Sequence, residues 1–181
     1  MAVSGPRILL IPFSGVPEYF LAPLRKQLER IFGIPVQLFS EITVPQNAFV
    51  PKRHQYLADA FLEKLVPFKQ KPNDHLLGVT SEDLFSGKLN FVFGVASSAT
   101  RTAVISTARL SPEFYGLPPD ENLFQKRILK EAVHELGHTF GLPHCPNPRC
   151  VMHFSNSILD TDKKGALFCP NCLQKLKPTL R

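Results

Sequence analysis

The sequence predicts an α/β fold, in which a mixed but mostly parallel sheet is packed with helices. Short apolar runs alternate with amphipathic segments in the first two thirds of the chain, one long helical segment follows, and helical periodicity is lost after Gly141. Strands that alternate with helices are typical of a parallel sheet covered on its faces. With 181 residues, of which 44% are hydrophobic, the chain can bury one core without disulfides.

The early elements alternate strand and helix. Ile8–Ile11 is an apolar run ended by proline, typical of a strand buried on both faces. Residues 19–32 place apolar side chains at steps of three and four, which predicts a helix that Gly33 ends. Residues 35–42 alternate as a second strand, and residues 52–65 carry the apolar stripe of a second helix.

Three more strands and a long helix complete the expected order. The strand candidates are Leu76–Val79, Leu89–Val95 and Val104–Leu110, with turn-prone polar residues between the first two. Residues 120–140 form the longest helical candidate, with apolar positions at near-helical spacing. The proline, cysteine and glycine content of residues 141–181 predicts a compact tail held by something other than a large core.

Charge and hydropathy limit which partners and which cellular compartment can be expected. The net charge is +6, but the lysines and arginines are scattered, so we expect no nucleic-acid partner. No run approaches the roughly 20 apolar residues of a membrane helix, so we expect no membrane contact. Ile8–Ile11 is too short for a signal-peptide core, which favours a cytoplasmic protein whose cysteines stay reduced. The sequence leaves the oligomeric state open.

The segment His134-Glu135-Leu136-Gly137-His138 matches H-E-x-x-H. On a helix the two histidines project from one face a turn apart, so both imidazoles can reach one metal ion. A carboxylate at position 135 lies next to that ion and can act as base towards water that zinc activates. The motif therefore predicts a catalytic zinc site with Glu135 as the base and acid.

A third zinc ligand is expected at His144. A catalytic zinc needs three protein ligands and one open position, and Gly141 and His144 extend the motif to H-E-x-x-H-x-x-G-x-x-H. Gly141 can adopt the left-handed conformation that ends a helix and turns the chain back. The competing interpretation is three ordinary histidines near a helix end. His54, His75 and His153 have no such spacing, and we assign them no metal.

The four cysteines form two close pairs. The spacing is C-x4-C followed by C-x2-C, which is typical of a structural zinc site with four thiolates; the ligands would be Cys145, Cys150, Cys169 and Cys172. The alternative is two disulfides, which an exported protein would favour. Because Cys145 directly follows His144, occupancy of the cysteine site should help to position the third histidine. Two zinc ions per chain are therefore expected.

The pattern from Glu131 to Cys172, about a quarter of the chain, resembles the metzincin clan of zinc peptidases. Cys150-Val151-Met152 and Cys169-Pro170-Asn171-Cys172 are similar to the archaemetzincin family in particular. The resemblance implies a metzincin-like catalytic domain over 1–181, with an upper α/β subdomain (1–140) and a small zinc-bound lower subdomain (141–181).

The resemblance also implies roles for further residues. Met152 would be the Met-turn residue beneath the three histidines. Substrate would lie extended in a cleft along an edge strand, for which Leu89–Val95 is the candidate. Phe154 stands where some metzincins have a tyrosine, so a hydroxyl near the metal must come from elsewhere.

The expected activity is hydrolysis of peptide bonds, and the resemblance extends it to aminopeptidase activity on small peptides. An α-amino group needs an acidic partner in the cleft, for which Glu82, Asp83 and Glu113 are the candidates. The alternative is a zinc-stabilised binding module with weak or latent hydrolysis. The intact Glu135 argues against it, because a pure binder has no chemical need for that carboxylate.

Overall fold

The structure is a computed structural model that describes residues 5–180. The strands are β1 Arg7–Pro12, β2 Val36–Leu38, β3 Phe49–Val50, β4 Gln55–Leu57, β5 Asp74–Thr80, β6 Leu84–Phe85, β7 Gly94–Ser97 and β8 Thr102–Ser106. The α-helices are α1 Leu21–Phe32, α2 Ala58–Leu65, α3 Glu121–Thr139, α4 Ile158–Lys163 and α5 Pro170–Leu176. No helix of the described residues is long and apolar enough to span a membrane.

The main sheet has the strand order β2-β1-β5-β8-β7. β1 pairs in parallel with β2 and β5, and β5 pairs in parallel with β8, as the alternation of strand and helix predicts. β7 is antiparallel to β8 and forms the edge of the sheet. A smaller sheet joins β3, β4 and β6.

Both faces of the main sheet are covered. Side-chain directions alternate along β1, so that Ile8 and Leu10 belong to the apolar cluster of α1 and α3, while Leu9 and Ile11 belong to the cluster of α2 on the other face. This two-sided burial explains why the sequence of β1 is a continuous apolar run rather than an alternating one.

Several predicted elements are shorter than the sequence indicates. The helix expected over 52–65 is wrong in its first half, where 51–54 form a turn with His54 at φ 53° and 55–57 form β4. The strand expected over 35–42 is a strand only over 36–38, and after it a single isolated bridge joins Ile42 to Phe13. Val104–Leu110 is a strand only to Ser106, because residues 108–110 form a 3-10 turn.

The substrate-strand candidate also needs correction. Leu89–Val95 is not one strand: β7 begins only at Gly94, and residues 89–93 run irregularly before it. The backbone of this irregular segment is shared between the two sheets: the N–H of Val92 donates to O of Leu84 in the smaller sheet, and O of Phe93 accepts from the N–H of Ser106 in β8. The edge strand is therefore Gly94–Ser97.

The tail after α3 is anchored by apolar contacts as well as by its turns. Val151, Met152 and Leu176 are fully buried in the same core cluster as α1 and α3. A capping box between Ser157 and Asp160 starts α4. The expectation of a tail held by something other than a core is therefore wrong in part, because the main core extends into it.

Candidate metal centre

Helix α3 places the first two histidines. Its N-terminus is capped by Asp120, whose carboxylate accepts a hydrogen bond of 2.9 Å from the N–H of Leu123. At the other end, His134 is buried and His138 is half-buried, one turn apart on the same face. The predicted helix and the positions of its histidines are confirmed.

A backbone carbonyl orients each of these two rings. Nδ1 of His134 lies 2.7 Å from O of Val151, and Nδ1 of His138 lies 2.7 Å from O of Leu142. A carbonyl only accepts, so each Nδ1 donates its proton and each Nε2 keeps a lone pair. The two Nε2 atoms face each other at 3.1 Å. Two lone pairs at that distance repel each other unless a cation lies between them.

His144 reaches the same point after the helix has ended. Gly141 has φ 87°, and its N–H donates to O of His138 at 2.9 Å, which turns the chain back. The ring of His144 lies 4.8 Å from that of His138, and one ligand nitrogen from each of the three histidines lies within 4.8 Å of the others. Tetrahedral zinc with bonds of about 2.0–2.1 Å separates two nitrogens by about 3.4 Å, so the donor set fits zinc.

The three rings are held in the neutral form that binds metals. Burial, with a smaller contribution from nearby Lys164, lowers the pKa of His134 to about 2. Burial also lowers the pKa values of His138 and His144 below their usual 6.5. At neutral pH no proton has to be displaced before a cation binds.

Glu135 is buried beside this group. Burial, with a smaller contribution from Glu131, raises the pKa of its carboxyl to about 8. A cation at the histidines would lower that pKa again, towards the range in which a carboxylate takes a proton from water at neutral pH.

The backbone of Gly94 in the edge strand packs directly against the side chain of Glu135. This contact was not predicted from the sequence. A Cβ added at Gly94 would lie 2.7 Å from Cγ of Glu135 and 2.8 Å from O of Val104. The glycine therefore lets β7 pass directly over the carboxylate. A glycine at the start of a strand could have signalled such a close approach.

Met152 lies beneath the helix that carries the histidines. It is fully buried, and a Cβ added at Gly137, between His134 and His138, would overlap with its sulfur. The N–H of Cys145 donates to O of Met152 at 2.9 Å, which ties the methionine to the third histidine's segment. Met152 therefore packs between the histidine helix and the segment that follows His144.

A cleft of about 420 Å³ opens over the histidines. One wall is the segment Leu89–Ala96, and the opposite wall is Phe154–Asn156. The ring of Phe154 lies 4.9 Å from that of His144 and brings no hydroxyl. Oγ of Ser155 is the one buried side-chain oxygen or nitrogen in residues 5–180 without a hydrogen-bond partner.

None of the three acidic candidates for an α-amino site lines this cleft. Asp83 is bonded to Arg109 through two hydrogen bonds of 2.7 and 2.8 Å, and Glu113 accepts from Ser111. Glu82 is likewise absent from the cleft wall. The second carboxylate in the wall belongs to Glu131 instead.

Glu131 forms a buried ion pair that was not predicted from the sequence either. Nζ of Lys164 lies 3.0 Å from Oε1 of Glu131, with side chains 1% and 4% exposed. The hydroxyl of Thr161 donates to the same oxygen at 3.1 Å. Glu131 precedes His134 by three residues and lies on the same helix face, so its place near the metal centre could have been predicted from the spacing. No pattern in the sequence points to Lys164.

The four cysteines come together next to the histidines. One sulfur from each lies within 4.8 Å of the others, and Sγ of Cys145 is 3.8 Å from Sγ of Cys169. A disulfide needs about 2.05 Å, whereas two thiolates on one tetrahedral zinc with bonds of about 2.3 Å lie about 3.8 Å apart. The N–H of Cys172 lowers the pKa of Cys169 to about 7, which favours a thiolate.

The remaining histidines belong to neither group. His75 is buried, with Nδ1 2.8 Å from Oγ1 of Thr139 and its ring stacked on Phe140. Nδ1 of His153 lies 3.0 Å from a backbone carbonyl oxygen. Within residues 5–180, neither these two nor His54 belongs to a group that could hold a metal ion.

Comparison with known proteins assigns the family. The profile of peptidase family M54 matches residues 25–178. An archaemetzincin of Pyrococcus abyssi is 48% identical over 179 residues, covering 96% of this chain and 95% of the relative. An archaemetzincin of Methanocaldococcus jannaschii is 43% identical over 171 residues, covering 94% and 93%.

Two solved structures have the same fold. A zinc-dependent peptidase from Methanocorpusculum labreanum superposes with a TM-score of 0.87 at 33% identity, covering 93% of this chain and 99% of the other. Archaemetzincin from Methanopyrus kandleri gives 0.84 at 39% identity, covering 97% and 96%. The chain therefore belongs to peptidase family M54 together with the archaemetzincins, and it is a zinc-dependent metallopeptidase.

Proposed function

We propose that the chain hydrolyses peptide bonds with Glu135 as general base and acid. The observation that carries the proposal is that the buried Glu135, packed closely against Gly94, lines the same cleft as the three histidines whose nitrogens converge. A zinc ion bound there would supply Lewis acidity and would lower the pKa of water to about 7. Glu135 takes the proton from the attacking water and returns it to the departing amine.

Zinc ligation is part of the proposal. His134, His138 and His144 would hold the catalytic ion, and the four cysteines would hold a second, structural ion. The facing Nε2 atoms and the sulfur spacing support this assignment. We retain the division into an upper subdomain over 1–140 and a lower one over 141–181, with the cleft between them.

The substrate would lie extended along β7. This strand pairs with β8 on one side, and Gly94, Val95 and Ala96 line the cleft. A peptide can add to such an edge through backbone hydrogen bonds, with its side chains entering the cleft. The three carboxylates considered for aminopeptidase activity lie outside the cleft wall, so we do not extend the proposal to it.

The test compares zinc-loaded wild type with Glu135→Ala on a peptide library, with cleavage read by mass spectrometry. We expect cleavage by the wild type and its loss, by at least about a hundredfold, without the general base. Glu63→Ala removes an exposed carboxylate from α2 and is the matched control. Equal cleavage by wild type and Glu135→Ala would contradict the mechanism, and no wild-type cleavage would favour the zinc-stabilised binding module.

A further inference from the structure

We propose that Lys164 determines which peptide ends the cleft accepts, an inference that rests on the proposed peptidase function. By pairing with Glu131, Lys164 withholds the cleft's second carboxylate from the α-amino group of a substrate. The cleft then takes N-terminally blocked peptides, or stretches inside a longer chain, at least as well as free N-termini.

Two carboxylates among the described residues line the cleft, those of Glu131 and Glu135. Glu135 is the base, so only Glu131 is left to attract an ammonium group. Its charge is compensated by Nζ of Lys164 at 3.0 Å, and one of its oxygens also accepts from Thr161. A paired, buried carboxylate offers a substrate amine little attraction.

Two backbone acceptors at the rim of the cleft are also occupied. Carbonyl oxygens could replace a carboxylate, but those of Leu89 and Asn90 already accept hydrogen bonds from Arg53 at 2.9 and 3.0 Å. The side-chain amide of Gln55 donates to Asn90 as well, at 2.9 Å. The guanidinium places a positive charge at this rim, and like charge disfavours an incoming ammonium group.

Helix α4 is joined to α3 without the help of Lys164. Arg127 of α3 contacts Asp162 at 2.7 and 2.8 Å. Lys130 adds hydrogen bonds of 2.9 Å to the carbonyls of Thr161 and Asp162. A buried ion pair contributes little to stability compared with apolar residues. The contact between α4 and α3 therefore does not depend on Lys164 alone.

The experiment uses zinc-loaded protein and octapeptides with alternating apolar residues, C-terminally amidated and either free or acetylated at the N-terminus. The quantity measured is the ratio of kcat/KM for acetylated over free peptide. We expect a wild-type ratio of one or more. In Lys164→Met the freed Glu131 carboxylate should lower the ratio by about tenfold, because it can then accept a charge-assisted hydrogen bond from the free α-amino group.

Two variants control for structure. Lys163→Met removes the same charge from the exposed neighbouring position and should leave the ratio unchanged. Glu131→Gln combined with Lys164→Met leaves the base Glu135 as the one carboxylate in the described cleft wall and should restore the wild-type ratio. An equal loss for both peptides in Lys164→Met would overturn the proposal. A wild-type ratio clearly below one would also overturn it, whatever the variants show.

Failure of the proposed function is distinguishable from failure of this inference. If neither peptide is cleaved, the peptidase mechanism is wrong, and the ratio is taken from Kd values by titration calorimetry on the same zinc-loaded proteins. A wild-type preference for the free N-terminus would then overturn the role of Lys164. Equal or tighter binding of the acetylated peptide would support it.

Discussion

Two glycines lie where backbone and active side chains come closest. Gly94 allows β7 to cross Glu135, and Gly137 allows α3 to rest on Met152. Neither position has a φ that requires glycine, so the requirement is for space rather than for backbone conformation. Substitutions at these two glycines should therefore affect the site through the volume of the added side chain.

Gly94→Ala should reduce kcat/KM by at least about tenfold, because about 1.4 kcal/mol of lost positioning has that effect. The added methyl group meets Cγ of Glu135 and the carbonyl of Val104, so the carboxylate must move. Peptide cleavage and zinc content measured on the same sample provide the check. Gly5→Ala, with open space around the added carbon, serves as control, and full activity of Gly94→Ala would refute the argument.

At the scale of elements, the turn after α3 connects two clusters of metal-binding side chains. His144 and Cys145 are consecutive, and the N–H of Cys145 is bonded to O of Met152. The carbonyl of the same cysteine contacts Nδ1 of His153. A short, bonded segment transmits a displacement at the cysteine cluster directly to the third histidine.

Cys169→Ser should therefore weaken zinc binding at the histidines as well as emptying the cysteine site. Loss of one thiolate frees the tail segment and, through Cys145, the position of His144. Competition with a chromophoric chelator measures the affinity, and we expect a loss of about tenfold or more, typical of changes to groups that support a metal ligand. Asn171→Ser, an exposed change in the first turn of α5, should have no effect; unchanged affinity in Cys169→Ser would disprove the coupling.

At the scale of the whole molecule, one buried histidine links folding to pH. Burial lowers the pKa of His75 to about 3, against an ordinary value of 6.5. Between these values the unfolded chain binds a proton that the folded chain does not, so stability rises with pH and is lost as pH falls. The limiting slope is about 1.4 kcal/mol per pH unit.

His75→Phe should flatten this dependence between about pH 6 and about pH 4. The ring can still stack on Phe140, and Oγ1 of Thr139 still donates to O of Leu136. Urea unfolding at several pH values, compared with the wild type, gives the difference in slope. An exposed-site control is His54→Asn, which suits the left-handed backbone there. Identical pH profiles for His75→Phe and wild type would exclude the assignment.

Metal release should occur in two steps. The histidine group opens into the cleft, whereas Cys150 and Cys172 are buried and four thiolates leave no open position. We expect two zinc ions per purified chain. A mild chelator should remove the ion at the histidines, and peptidase activity should be lost with it. The ion at the cysteines should be released only under conditions that also unfold the tail. Atomic absorption and circular dichroism followed together would detect a single step, which would contradict two separate sites.

Much of this molecule could be predicted from local patterns. β1 is a continuous apolar run because both faces of its strand are covered, and α3 has a clear cap and periodicity. The convergence of His134, His138 and His144 follows from helix geometry and one turn. These features depend on residues that are close together in sequence, so local patterns are enough to predict them.

Other features depend on contacts between distant segments. Residues 55–57 have a helical apolar pattern, but positions 56 and 57 pair with β6 instead. Residues 89–93 resemble a strand, yet the smaller sheet and Arg53 hold them as the wall of the cleft. Lys164 meets Glu131 only because α4 folds back onto α3. These contacts cannot be predicted from the periodicity or the residue spacing within a single segment.

The open side of β7 has a consequence for the behaviour of concentrated protein. Among residues 5–180 this strand has a single neighbour, and a free strand edge can pair with the same edge of a second molecule. Its length of four residues limits how strong such a junction can be. A peptide bound in the cleft would cover the same hydrogen-bonding groups. Substrate analogues should therefore also act as solubilising agents, which keep the molecules apart during storage and crystallisation.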